Sequence, residues 1–219
     1  MKKKWTEEAW SGASGIYARI IGHPFIKELA SGTLDSARFN RYIAQDEVYL
    51  GNYGRQMLSF ASMIDDAAER EMFNGFAKAG LEGERAMHAL LIGRFGTELE
   101  VSASPVTAAY NAHTEAALAT GRPELALAAL LPCMWVYNEV GLHIVSIAEP
   151  DGNPYREWIA EYADEGFTQG VREVLRLADR YAAAADDVVR MEMTKLFVEA
   201  TQFEYDFWDY AYSSVPDVP

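Results

Sequence analysis

The sequence predicts one all-α domain spanning residues 1–219, folded as a bundle of seven to nine helices with short connections. Three observations predict it. No proline occurs between Pro24 and Pro105, nor between Pro154 and Pro216. Those two stretches are rich in Ala, Leu, Glu, Met and Arg, which lose little side-chain freedom in a helix. Sustained period-2 alternation is absent, and no Asn-Gly or Asp-Gly pair forms a hairpin turn between alternating runs.

The elements follow in order. A first helix is expected over Thr6 to Ile20, with Thr6 as N-cap and Glu8 in the first turn. His23-Pro24 opens a short second helix that stops before Gly32. Thr33 or Asp35 caps a long third helix to about Ser62. Asp65 starts a fourth that runs to Phe95, with Gly96 as its stop. Ser104-Pro105 places proline at the first helical position of a fifth, which ends at Gly121. Pro123 opens an apolar helix to about Ala148. Glu149 to Pro154 reads as a loop. Two further helices are expected after it, split near Ala184 to Asp187, and the tail from Ser213 is irregular.

Composition narrows the function. Asp plus Glu is 33 against 19 Lys plus Arg, a net charge of −14, which repels phosphate backbones. The only basic cluster is Lys2, Lys3 and Lys4, so no nucleic-acid partner is expected. One cysteine makes no internal disulfide, which points to a reducing, cytoplasmic compartment. The opening MKKKWTEEAW lacks an apolar segment after its lysines, so no signal peptide is expected. The longest run free of strongly polar residues, Leu125 to Tyr137, is too short to span a bilayer and reads as a buried helix of a soluble protein.

Four stretches carry candidate chemistry. In LLPCMWVYNEVG, Cys133 and Tyr137 are spaced i, i+4 on one face, and Pro132 predicts a local kink. Cys133 is a candidate nucleophile or simply a small buried hydrophobe. In YIAQDEVYL, Asp46 lies on an apolar stripe with Tyr42, Ile43, Tyr49 and Leu50. It reads as a ligand-binding carboxylate or half of a structural ion pair, while Glu47 marks the solvent side. In ATQFEYDFWDYAY, Glu204 sits among Phe203, Phe207 and Trp208. Held against aromatics it would act as an acid or base near neutrality; rotated to water it would not. Tyr110, Tyr155, Trp158 and Tyr162 are aromatic positions that line either a core or a pocket for a flat ring. Glu84/His88 and Glu139/His143 are i, i+4 pairs, but the di-metal bundle motif is Glu-x-x-His, so no metal is expected.

Taken together, HPFIKELASGTLDSARFNRYIAQDEVYL, EGERAMH, SPVTAAYNAH, LLPCMWVYNEVG, NPYREWIAEY and FEYDFW resemble the TenA family, the thiaminase II or aminopyrimidine aminohydrolase enzymes. The resemblance runs from about Ala13 to Tyr212. It implies a heme-oxygenase-like bundle, a homotetramer and a pocket for 4-amino-2-methylpyrimidines, with no cofactor. It also implies that Cys133 and Glu204 are catalytic and that Asp46 hydrogen-bonds the aminopyrimidine. Tyr49, Tyr110, Tyr137 and Tyr162 then become pocket tyrosines, and Cys133 places the chain in the cysteine-containing branch.

The implied reaction converts 4-amino-5-aminomethyl-2-methylpyrimidine to the hydroxymethyl compound in thiamin salvage, with thiamin itself as a second substrate. A thiolate adds to C6, the amine leaves from the 5-methylene, water adds to the exocyclic carbon and the thiolate departs. Two other readings stand beside it. One is a non-catalytic pyrimidine carrier or regulator. The other is an oxidase on the same bundle, using Glu84, His88, Glu139 and His143 or no metal at all. The twelve Tyr, ten Phe and five Trp, with apolar character around several faces of Trp135 to Ile147, agree with an assembled particle.

Overall fold

The computed structural model describes residues 3–96, 101–148 and 152–213. Among these residues every regular element is helical: α1 (Trp5–Ile21), α2 (Pro24–Ser31), α3 (Ser36–Ala61), α4 (Ala67–Phe95), α5 (Pro105–Ala119), α6 (Pro123–Ile147), α7 (Arg156–Tyr162), α8 (Glu165–Ala184) and α9 (Asp187–Tyr212). The all-α class is borne out.

Local chemistry sets the boundaries. His23 caps α2 with its ring, Nδ1 accepting from Phe25 N–H at 3.1 Å, and Pro24 supplies the preset φ of the first turn. Gly32 ends that helix at φ 72°, a left-handed conformation that only glycine adopts without strain. Asp35 caps α3 and Ser104 caps α5 through side-chain oxygens.

Three boundary expectations need correction. Thr6 lies inside α1 rather than capping it; its N–H and hydroxyl both go to the Asp179 carboxylate. Asp66, not Asp65, caps α4, accepting from Glu69 N–H at 2.9 Å. Three helices rather than two follow the loop, because Asp164 caps a separate α8 by accepting from Phe167 N–H at 2.9 Å. An aspartate followed by a glutamate was the available signal for that start.

The predicted loop is described from Gly152 onward; residues 149–151 and the tail from 214 lie outside the described residues. Asn153 ties the loop down. Its amide donates to the carbonyls of Leu29 and Ala30, both at 3.0 Å, and its Oδ1 accepts from Tyr155 N–H at 2.8 Å.

α6 is the central helix. α5, α7, α8 and α9 pack around it, α1 lies along α9, and α3 pairs with α4 and α5. The helix runs unbroken through Pro132. Its length and apolarity would suit a membrane span, so the short apolar run understated it. Yet 89% of its apolar window is buried by the surrounding helices. Its one deeply buried amide, Asn138, is satisfied by the Tyr162 carbonyl and the Thr168 hydroxyl. At Gly141, α6 and α7 touch backbone to backbone: a Cβ there would stand 2.6 Å from the carbonyl carbon and oxygen of Tyr162.

Candidate active site

Helical periodicity builds the site before any tertiary contact does. On α3, Tyr42, Asp46, Tyr49 and Tyr53 recur at intervals of four, three and four, so all four face inward, and all are buried. α6 contributes Cys133 and Tyr137 one turn apart, both buried. α9 contributes Glu204 with Phe207 and Trp208, α5 contributes Tyr110, and α7 contributes Trp158 and Tyr162. The bundle brings these faces together around the Cys133 thiol.

Two polar groups act on the thiol through the charges of Glu204 and Asp46. The first is a carboxyl–phenol pair: Tyr110 Oη donates to Glu204 Oε1 at 2.6 Å. Glu204 is 2% exposed, which decides between its two readings in favour of the buried one. Burial pushes its pKa from 4.5 to about 8, with Asp46 adding to the rise and the Tyr110 hydrogen bond opposing it. The second is built on Asp46. Its Oδ2 takes a contact from His88 Nε2 at 3.1 Å and one from the Tyr42 hydroxyl at 3.3 Å. His88 Nδ1 meets Glu47, so the imidazole is clamped between two carboxylates. Burial lowers the His88 pKa, but the hydrogen bond and charge of Asp46, then those of Glu47, outweigh it and lift the value to about 9.

Asp46 therefore does have the ion-pair partner that a buried carboxylate requires. Glu47 keeps a third of its side chain exposed, as a solvent-side acid would, and in addition reaches the buried His88 ring. The sequence missed Tyr53 as a site residue, and Trp158, left between core and pocket, belongs to the site's hydrogen-bond network. Tyr53 is one turn beyond Tyr49, and its hydroxyl holds the Leu130 carbonyl at 3.0 Å. Trp158 Nε1 donates to Tyr42 Oη at 3.2 Å, and Tyr42 Oη lies 3.5 Å from Tyr137 Oη. The i, i+4 spacing from Tyr49 on α3 was the signal that could have found Tyr53.

Aromatic rings fill the rest. Tyr49 packs on Tyr110 at 4.9 Å and stacks on Tyr53 at 5.4 Å between centroids. Tyr137 packs on Tyr162 at 4.9 Å and on Trp208 at 5.0 Å. The Tyr49 hydroxyl is buried with no hydrogen-bond partner of good geometry. Burial, then Glu204 and Glu84, push the Cys133 thiol well above its ordinary pKa; a loose contact from Tyr49 acts the other way. The thiol therefore keeps its proton at neutral pH, and ionising it requires a proton acceptor close by.

Beside the thiol lies a narrow cleft, partly open to solvent, whose lining includes Tyr53, Glu84, Cys133, Met134, Phe76 and Phe167. The candidate metal pairs do not converge. His88 is held by Asp46 and Glu47, Glu84 by the Tyr162 hydroxyl, and Glu139 by the Trp135 indole. Among the described residues no group of three or more His, Cys, Asp and Glu side chains is placed to hold a metal ion.

Known proteins resemble this architecture closely. An aminopyrimidine aminohydrolase from Bacillus subtilis (strain 168) is 31% identical over 217 residues, covering 95% of this chain and 90% of that protein. A protein of the same name from Helicobacter pylori is 29% identical, covering 94% of this chain and 97% of its own. Among solved structures, a TenA homologue from Pyrococcus furiosus superposes with a TM-score of 0.88 at 20% identity, covering 95% of this chain and all of that one. A Shewanella denitrificans domain with a heme-oxygenase-like fold superposes at 0.66 and 16% identity, covering 94% and 91%. The fold is thus heme-oxygenase-like, as the resemblance implied. Residues 10–214 match the TENA/THI-4/PQQC family, and the chain belongs to that family.

Proposed function

We propose that this chain is an aminopyrimidine aminohydrolase of thiamin salvage, hydrolysing the C–N bond of 4-amino-5-aminomethyl-2-methylpyrimidine, with thiaminase II activity on thiamin. The observation that carries the reading is the buried Cys133 thiol within reach of the charges of Glu204 and Asp46, each held by its own hydrogen-bond partner, among buried tyrosines.

Each residue has a physical task. Asp46 accepts from the 4-amino group, and Tyr49, Tyr110, Tyr137 and Tyr162 enclose the flat ring and its edge. Glu204, neutral near pH 7 because it is buried, protonates ring N1; its carboxylate then takes the thiol proton. The thiolate adds to C6, whose C6–N1 double bond has become an iminium. The 4-amino lone pair pushes through C4–C5 and expels the amine from the 5-methylene carbon. Positive charge grows on that amino group, and the Asp46 carboxylate stabilises it. Water adds to the exocyclic methylene, the electrons return, and the thiolate leaves and recovers its proton. The net change is amine plus water to alcohol plus ammonia.

The test is ammonia release from the aminomethyl compound by wild type and Cys133→Ala. Turnover is expected in the first and abolished in the second, with the far-ultraviolet circular dichroism unchanged. A full rate in Cys133→Ala overturns the nucleophile. Tight binding of the hydroxymethyl compound with no turnover makes the protein a carrier instead.

The same reading places the protein in the cytoplasm, where a lone catalytic thiol stays reduced. It also makes it a homotetramer. Leu142 and Val145 near the end of α6, i, i+3 neighbours on one face, are 40 and 55% exposed, an apolar face that a second copy would cover. Light scattering is expected to report four times 24.4 kDa, and a monomer at micromolar concentration overturns the assembly.

A further inference from the structure

The addition at C6 leaves one problem that Cys133, Glu204 and Asp46 do not solve. An amine is a poor leaving group unless a proton reaches it as the C–N bond breaks. The carbon that loses it hangs from C5, directly beside the carbon the thiol attacks, so the leaving amine must lie close to the sulfur. The cleft beside Cys133 is the room for it, and it continues outward past Phe76, Gly80 and Phe167 into a surface groove that shares those three residues. The carboxyl that lines this cleft with the thiol is Glu84, on α4.

We infer that Glu84 is a further catalytic carboxyl, the general acid that protonates the departing amine and then the base that activates the water replacing it. The inference rests on the functional reading above. Tyr162 Oη donates to Glu84 Oε1 at 3.1 Å, which holds one oxygen and leaves the carboxyl facing the cleft. Tyr162 thus acts as a positioning residue as well as a wall. Burial first, and Asp46 second, raise the Glu84 pKa to about 8, so the group carries a proton to donate at neutral pH. The protons balance. Glu84 gives its proton to the amine, which leaves as ammonia, and water adding to the methylene returns one to Glu84. Glu204 serves only the thiol and ring N1. The two carboxyls therefore have separate tasks, one on the ring and one on the substituent.

The test uses leaving groups of different need. Glu84→Gln and wild type are compared on the 5-aminomethyl compound and on its 5-pyridiniomethyl analogue, whose neutral pyridine departs without a proton. Glu84→Gln should lose about 10²- to 10⁴-fold in kcat on the first and less than about threefold on the second. A second measurement is turnover of the aminomethyl compound by Glu84→Ala, which added acetic acid should restore in part; a packing role predicts no rescue. Equal losses on both compounds without rescue, or no loss on the first, overturn the role of Glu84 while the functional reading stands. A wild type inactive on the aminomethyl compound overturns both.

Discussion

Glu204→Gln removes a charge while keeping the side-chain shape and an acceptor for the Tyr110 hydroxyl. Its effect on stability follows from the burial of Glu204, whose pKa rises from 4.5 to about 8 on folding. Between those values the folded protein holds a proton that the unfolded chain has released, so stability falls as pH rises. The contribution is fully present below pH 4.5 and is lost as pH climbs through about 8. At about 1.4 kcal/mol per tenfold change in proton affinity, the full effect is about 5 kcal/mol, of which about 4 kcal/mol falls between pH 5 and pH 9. Glutamine does not titrate and is spared that loss. The stability of Glu204→Gln relative to wild type should therefore grow by about 4 kcal/mol from pH 5 to pH 9. For a chain of this size that is roughly 8–16 °C in Tm. Thermal unfolding followed by circular dichroism, with both proteins at one concentration and at pH 5, 7 and 9, measures it. A Tm difference that does not change with pH would refute the reasoning, because the carboxyl would then not be buried in its neutral form.

Two further outcomes are expected. Gly141→Ala drives a Cβ to 2.6 Å from the Tyr162 carbonyl, a backbone contact that cannot yield without separating α6 from α7. It should cost about 3 kcal/mol in denaturant unfolding, while Gly93→Ala on α4, with nothing within 4 Å, should gain up to about 1 kcal/mol. Asp46→Asn removes a charged acceptor worth about 1.5–3 kcal/mol, so calorimetry with the hydroxymethyl compound should show Kd raised roughly 10- to 100-fold. A change below twofold would separate Asp46 from ligand binding.

Much of this molecule is local and was readable along the chain. The ends of α2, α3 and α5 follow from the cap at His23 with Pro24, the cap at Asp35, and Ser104 with Pro105. These depend on side-chain atoms two or three residues from the backbone they satisfy. The inward face of α3 is equally local, because helical periodicity alone aligns Asp46 with Tyr49. The break at Asp164 was legible too, though its single cap is a weaker signal than a proline.

Tertiary structure decided the rest, because chemistry at this site depends on distance between helices. Nothing along the chain sets Tyr110 against Glu204, 94 residues away, or brings Glu47 to the ring of His88. The same sequence would be consistent with Glu204 in water, where its pKa would be that of any surface carboxyl and it could not hold a proton at pH 7. Burial by α5 and α6 changes that, because a low-dielectric surround penalises the charged form more than the neutral one. Glu84 shows the same division. Its place on α4 is written in the sequence as half of a weak metal motif, whereas its position beside the Cys133 thiol exists only once α4 packs on α3 and α7.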